Sequence, residues 1–125
     1  MGNVTNFAVE TSVASAEAAI VVVIGEMDAF TTPQVKAAML QMLDDGHRFL
    51  IVNLQRAVYL DSTALGALVG GLKRAREKGG DLRLVAPTPR IMRLLEITRL
   101  SKVFSIDATD EDAVAHLLQE RIGAE

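Results

Sequence analysis

The hydrophobic positions fall into two kinds of pattern. Ala18 to Ile24 is an unbroken, largely β-branched run, and Phe49 to Leu54 and Leu82 to Ala86 are further apolar runs of strand length. A run without polar alternation is what a strand covered on both faces requires, so these predict three central strands. Val4 to Glu10 alternates instead and predicts an edge-like strand, while Val103 to Ile106 predicts a short last one. Between the strands, apolar residues recur at helical spacing. Val35, Ala38, Met39, Met42 and Leu43 mark one helix, and Leu65, Leu68, Val69 and Leu72 the next. Ile91, Leu94 and Leu95 mark a third, and Val114, Leu117, Leu118 and Ile122 a terminal one.

The residues at the joints agree with this division. Thr31-Thr32-Pro33 and Thr88-Pro89 each supply an N-cap hydroxyl and a proline at the first helical position. Asp44-Asp45-Gly46 and Gly79-Gly80 end the first two helices, the third is expected to fade near Thr98, and Thr109-Asp110-Glu111-Asp112 resembles a capping box. Gly25-Glu26-Met27-Asp28 is read as the end of the first central strand, and Gln55 to Leu60 as a connecting loop. From Ala18 onward strand and helix alternate, which requires right-handed crossovers and a mostly parallel sheet, the first strand joining by a hairpin. The fold class is therefore α/β: a mixed, mostly parallel sheet of about five strands with about four or five helices. One domain is expected over residues 1–125, with its core over about 4–122.

Composition narrows the function. With no cysteine, disulfides, thiolate metal sites and cysteine nucleophiles are excluded. The longest apolar stretch, Ala18 to Ile24, is far shorter than the roughly 20 residues of a membrane span, so no membrane insertion is expected. No basic segment followed by a long apolar one opens the chain, so no signal peptide is expected and the cytoplasm is the default location. A net charge of -3, one Tyr, four Phe and no Trp argue against direct nucleic-acid binding.

Candidate chemistry centres on Asp61-Ser62-Thr63, which opens a helix just after a strand and loop. Helix N–H groups and the helix dipole make that a favourable place for negative charge. Crossover topology brings the loops after successive strands to one sheet edge. Ser62 is therefore expected to share an edge with Glu26, Asp28, Arg56 and Arg90. Two readings of Ser62 follow: a cap or first-turn residue beneath an Asp61 cap, or an exposed hydroxyl that a partner modifies. Gly66, Gly70 and Gly71 do not make a phosphate-binding loop, because Leu72 stands where the lysine belongs and the glycines lie inside the helix. Gly66 and Gly70 are expected to permit close approach of another element or a partner. Lys73, Arg74, Arg76 and Lys78 read as a solvated helix end, and His47 and His116 lack the spacing of a metal site. The methionines at 27, 39, 42 and 92 read as core fillers.

G-E-M-D at Gly25 to Asp28, V-N-L at Val52 to Leu54 and Y-L-D-S-T-A-L-G at Tyr59 to Gly66 together resemble the STAS domain (sulphate transporter and anti-sigma-factor antagonist). The likeness continues through G-G-D-L-R-L-V and through P-x-x-x-R-L-L-E-I-T-R-L at Pro89 to Leu100, and is greatest to the stand-alone bacterial anti-sigma-factor antagonists. The resemblance implies a non-enzymatic regulator whose unphosphorylated form binds an anti-sigma factor and frees a sigma factor. It implies phosphorylation at Ser62, with Thr63 as second candidate, by the anti-sigma factor acting as a serine kinase, and reversal by a PP2C-type phosphatase. ATP then belongs to the partner kinase, and no cofactor is expected on this chain. The partner-binding residues it implies are Glu26, Asp28, Thr31, Asp61, Ser62, Thr63 and Gly66. Ala64 stands where family members usually have Gly. The alternative is a STAS interaction module without a switch, serving a stress-signalling or a lipid- or anion-transporter complex.

Overall fold

The computed structural model describes residues 7–124, with side chains of the last helix through Gln119. Strand β1 (Ala8–Val13) pairs antiparallel with β2 (Ala18–Met27), so the predicted hairpin is present. The edge strand runs on past Glu10 to Val13; positions 4–6 of the predicted strand lie outside the described residues. Helix α1 (Thr32–Asp44) leads to β3 (Phe49–Asn53), and β4 (Ala57–Leu60) to α2 (Ser62–Glu77). After β5 (Asp81–Val85) come α3 (Pro89–Ile97), a 3-10 turn over Leu100–Lys102, β6 (Ser105–Asp107) and α4 (Asp110–Ala124).

Among the described residues the sheet has six strands, with β1-β2-β3-β5-β6 in spatial order and all neighbours but β1 and β2 parallel. Period-2 side-chain alternation divides it into two faces. Val21, Val23, Leu50, Val52, Leu82 and Leu84 point into the larger core, where Val35, Met39 and Leu43 of α1, Leu65, Leu68 and Leu72 of α2, and Ile91 and Leu95 of α3 meet them. Full burial of one such side chain stabilises the fold by about 1.5–3 kcal/mol, so this layer carries most of the stability. On the other face Ala18, Phe49, Ile51 and Val85 pack against Ala113 and Leu117 of α4. Met27 and Met39 are fully buried, and Met42 and Met92 pack partly buried at the core margin, in keeping with their reading as fillers.

Two departures from the sequence reading matter for the site. The segment from Gln55 to Leu60 is not wholly loop, because Ala57–Leu60 pairs with the far half of β2, Glu26 with Tyr59 and Met27 with Leu60. For the same reason β2 does not end at Gly25. The register shifts between Gly25 and Glu26, Gly25 takes φ +95°, and the strand continues to Met27. Likewise β6 is Ser105–Asp107, displaced from the predicted Val103 to Ile106, because Arg99 at φ +63° turns the chain into the 3-10 segment after α3. No helix among the described residues is long and apolar enough to cross a membrane.

Candidate functional site

The ends of β2 and β4 lie side by side, and the Asp61 N–H donates to the Met27 carbonyl (3.2 Å). That bond fixes the start of α2 beside the Met27 to Thr31 loop. Asp61 is the N-cap of α2: its Oδ1 accepts from the Ala64 N–H (2.9 Å) and its carbonyl from the Leu65 N–H (3.0 Å). Ser62 is thus the first helical residue, exposed, with Thr63 exposed beside it. The cap oxygen comes from Asp61, and the Ser62 hydroxyl is not used for capping. Ala64 is fully buried.

The neighbouring loop is shaped by its own hydrogen bonds. Asp28 Oδ1 accepts from the N–H groups of Phe30 (2.9 Å) and Thr31 (3.0 Å), and the Asp28 carbonyl accepts from the Thr32 N–H (2.8 Å). The Thr31 N–H, foremost, and then those of Phe30 and the Thr31 hydroxyl hold the Asp28 carboxyl below its ordinary value against a partial desolvation that pushes the other way. The carboxylate is therefore charged at neutral pH. Thr31 was expected both as the α1 cap and as a partner contact. It is buried and makes no side-chain cap: its Oγ1 accepts from the Asp28 N–H (2.8 Å) and donates to the Glu26 carbonyl (2.8 Å). Its hydroxyl is consumed inside the loop, so Thr31 positions Glu26 and Asp28. Phe30, 90% exposed, stands beyond it.

Of the other expected neighbours, Arg56 separates. Arg56 precedes β4 while Ser62 follows it, so the two lie at opposite ends of that strand, and the Arg56 carbonyl accepts from the Gly25 N–H (3.0 Å). Arg90 lies with its guanidinium 5.5 Å from the Tyr59 ring centroid, engaged with the exposed side of β4. Glu26, Asp28, Asp61, Ser62 and Thr63 remain on one edge. Gly66, one turn along α2, is exposed.

Gly66 and Gly70 do not mark a tight contact within the fold: a Cβ on either would meet nothing within 4 Å. Gly71 does, since its Cβ would lie 2.8 Å from Met39 Sδ. Gly66 and Gly70 instead line an open groove between α1 and α2, with a volume of about 400 Å³.

A second polar cluster, under α4, escaped the sequence reading. Arg83 Nε donates to Asp107 Oδ2, and His116 Nδ1 meets Asp107 Oδ1. Arg83 and Asp107 are buried. Burial would raise the Asp107 carboxyl, but hydrogen bonds and charge from Arg83 and His116 outweigh it and hold the group low. Asn53 Nδ2 donates to Asp110 Oδ1 (2.9 Å) at the same helix. An arginine within the apolar run Leu82 to Val85 was the available signal, since a charge in a central strand needs a partner. His47 meets the Ala16 carbonyl (3.0 Å), so the two histidines are apart, and the described residues hold no group of three or more metal-ligating side chains.

The α/β sheet with a capped, hydroxyl-bearing helix start beside an acidic loop defines the class: the chain belongs to the STAS domain family, whose model matches residues 10–113. Among curated relatives, the anti-sigma-B factor antagonist of Staphylococcus aureus is 37% identical over 87 residues, covering 70% of this chain and 81% of that protein. The anti-sigma-B factor antagonist of Listeria monocytogenes is 40% identical over 85 residues, covering 67% and 74%. In fold, the chain is similar to an anti-sigma factor antagonist from Mycobacterium paratuberculosis, with TM-score 0.80 and 23% identity over 94% of this chain and 98% of that one. It is also similar to the anti-sigma factor antagonist SpoIIAA in its unphosphorylated form, with TM-score 0.79 and 22% identity over 90% and 97%. SpoIIAA in its phosphorylated form gives TM-score 0.71 at 22% identity, over 87% and 98%.

Proposed function

We propose that this protein is a phosphorylation-switched anti-sigma-factor antagonist. Its unphosphorylated form binds an anti-sigma factor that is also a serine kinase, and so releases a sigma factor. The observation that carries this reading is the exposed Ser62 hydroxyl at the first turn of α2, left out of the cap that Asp61 supplies. In the switch, Ser62 Oγ forms a bond to the γ-phosphorus of ATP held by the kinase, the bond to the ADP oxygen breaks, and the hydroxyl proton passes to a base on the kinase. A PP2C-type phosphatase returns the hydroxyl by hydrolysis.

Phosphate adds about -1.5 to -2 charges. At a helix N-terminus that charge is favourable, so the fold is unchanged. Toward a partner it is not, because it adds to Asp61, Asp28 and Glu26 on one edge, and like charge brought into an interface costs several kcal/mol. Incubation with the cognate anti-sigma kinase and ATP, followed by mass spectrometry, tests the reading. One phosphoryl group is expected on the wild type and none on Ser62→Ala; no mass gain, or a gain that survives Ser62→Ala, would favour the interaction module without a switch.

A further inference from the structure

We propose that the shallow groove between β4 and the outer face of α3 docks an acidic segment of the anti-sigma partner that carries a bulky apolar side chain; this rests on the reading of Ser62 above. Arg90, Arg93, Leu94 and Ile97 recur at i, i+3, i+4 and i+7 on α3 and so form one stripe along the helix. The core takes a different stripe, Ile91 and Leu95, and both are buried. The helix therefore has a second face, and Tyr59 of β4 closes the groove across from it. Ile97 is 73% exposed and Tyr59 40%.

Charge, size and composition define the occupant. The groove is lined by two arginines and no carboxylate, in a chain whose net charge is -3, and neither arginine makes an ion pair among the described residues. Charge complementarity selects an acidic partner. The volume of about 170 Å³ lies below the roughly 300–1,000 Å³ of small-molecule sites, so the groove suits an anchoring side chain and not a metabolite. Tyrosine and arginine are the residue types that carry binding energy at protein interfaces. The Arg90 guanidinium, 5.5 Å from the Tyr59 ring centroid, orders both side chains before a partner arrives, which lowers the entropy lost on docking.

The position of the groove names the partner. Tyr59 precedes Ser62 by three residues, at most about 11 Å of extended chain. A standard interface takes about 800 Å² from each partner, equivalent to a disc of about 16 Å radius, so a kinase seated on Ser62 also covers Tyr59. Its footprint then contains patches of opposite charge: Glu26, Asp28 and Asp61 in one, Arg90 and Arg93 in the other. A partner with basic groups for the first and an acidic segment for the second docks in one orientation, and that fixes which of its groups faces Ser62.

Calorimetric titration of the cognate anti-sigma factor against wild type and groove variants tests the surface. Arg90→Glu combined with Arg93→Glu is expected to weaken binding at least tenfold, and Arg90→Lys combined with Arg93→Lys by less than threefold. Ile97→Ser changes no charge and is expected to weaken binding at least threefold. Because Ile97 is exposed, Ile97→Ser leaves the core closed and decides the matter should the charge-reversed variant lose its folded ¹⁵N spectrum. Wild-type affinity in either folded variant, or a loss in the lysine pair as large as in the glutamate pair, would overturn the groove and leave the switch at Ser62 standing. No binding by the wild type itself would overturn the reading of Ser62, and the groove with it.

Discussion

Asp61 and Met27 are joined across the sheet edge by the Asp61 N–H donating to the Met27 carbonyl, and Asp61 caps α2 with its own carboxylate. Cap and fastening therefore meet in one residue. Asp61→Ala should lower stability by about 1 kcal/mol, the usual cost of a lost N-cap. Asp61→Asn, which keeps the cap oxygen, should cost less. Urea denaturation of the two variants checks this order.

The Ser62→Asp variant places a negative charge one residue further on, where the helix dipole accepts it. Its unfolding free energy should stay within about 0.5 kcal/mol of the wild type. A larger loss on chemical denaturation would mean that the modified residue acts on the fold rather than on its partner.

Much of this edge is legible in the sequence. The unbroken runs at Ala18 and Phe49 and the Asp61-Ser62 helix start are local signals, and each stands where its residues put it. The strand β4 is not a local signal: its burial alternates in neither period, Val58 and Tyr59 both being exposed, and it exists only because β2 runs past Gly25 to pair with it. The cap of α1 fails for a similar reason. Thr31 has the right chemistry, but its hydroxyl accepts from the Asp28 N–H and donates to the Glu26 carbonyl, and so is taken into the loop instead of capping the helix. The link between Arg83 and Asp107 depends on the register of β5 against β6, which pairs Val85 with Asp107 and leaves the charged residues on one face.

That link should give stability a pH dependence of definite sign. Asp107 is held below its ordinary value of 3.8 in the folded chain, so the unfolded chain binds the extra proton. The stabilisation is fully present above about pH 5 and is lost as pH falls through the ordinary carboxylate value toward the lower native one. Urea midpoints measured across this window should fall less steeply for Asp107→Asn. At neutral pH, Asp107→Ala should cost about 3 kcal/mol, because it takes from the buried Arg83 its carboxylate.

Glycines on and just after α2 should respond in opposite ways. Gly66→Ala meets open space and should stabilise by up to about 1 kcal/mol through helix propensity. Gly80→Ala puts a Cβ 1.8 Å from the Arg48 carbonyl oxygen, a backbone atom. It should therefore destabilise by about 3 kcal/mol. Thermal melts of the pair separate the two effects.

The switch itself is tested most directly by titrating the cognate anti-sigma factor with wild type and with Ser62→Asp, both shown to be folded. The expected result is affinity at least tenfold weaker for Ser62→Asp, equivalent to about 1.4 kcal/mol or more at the interface. Equal affinity for the two proteins would contradict a switch at Ser62.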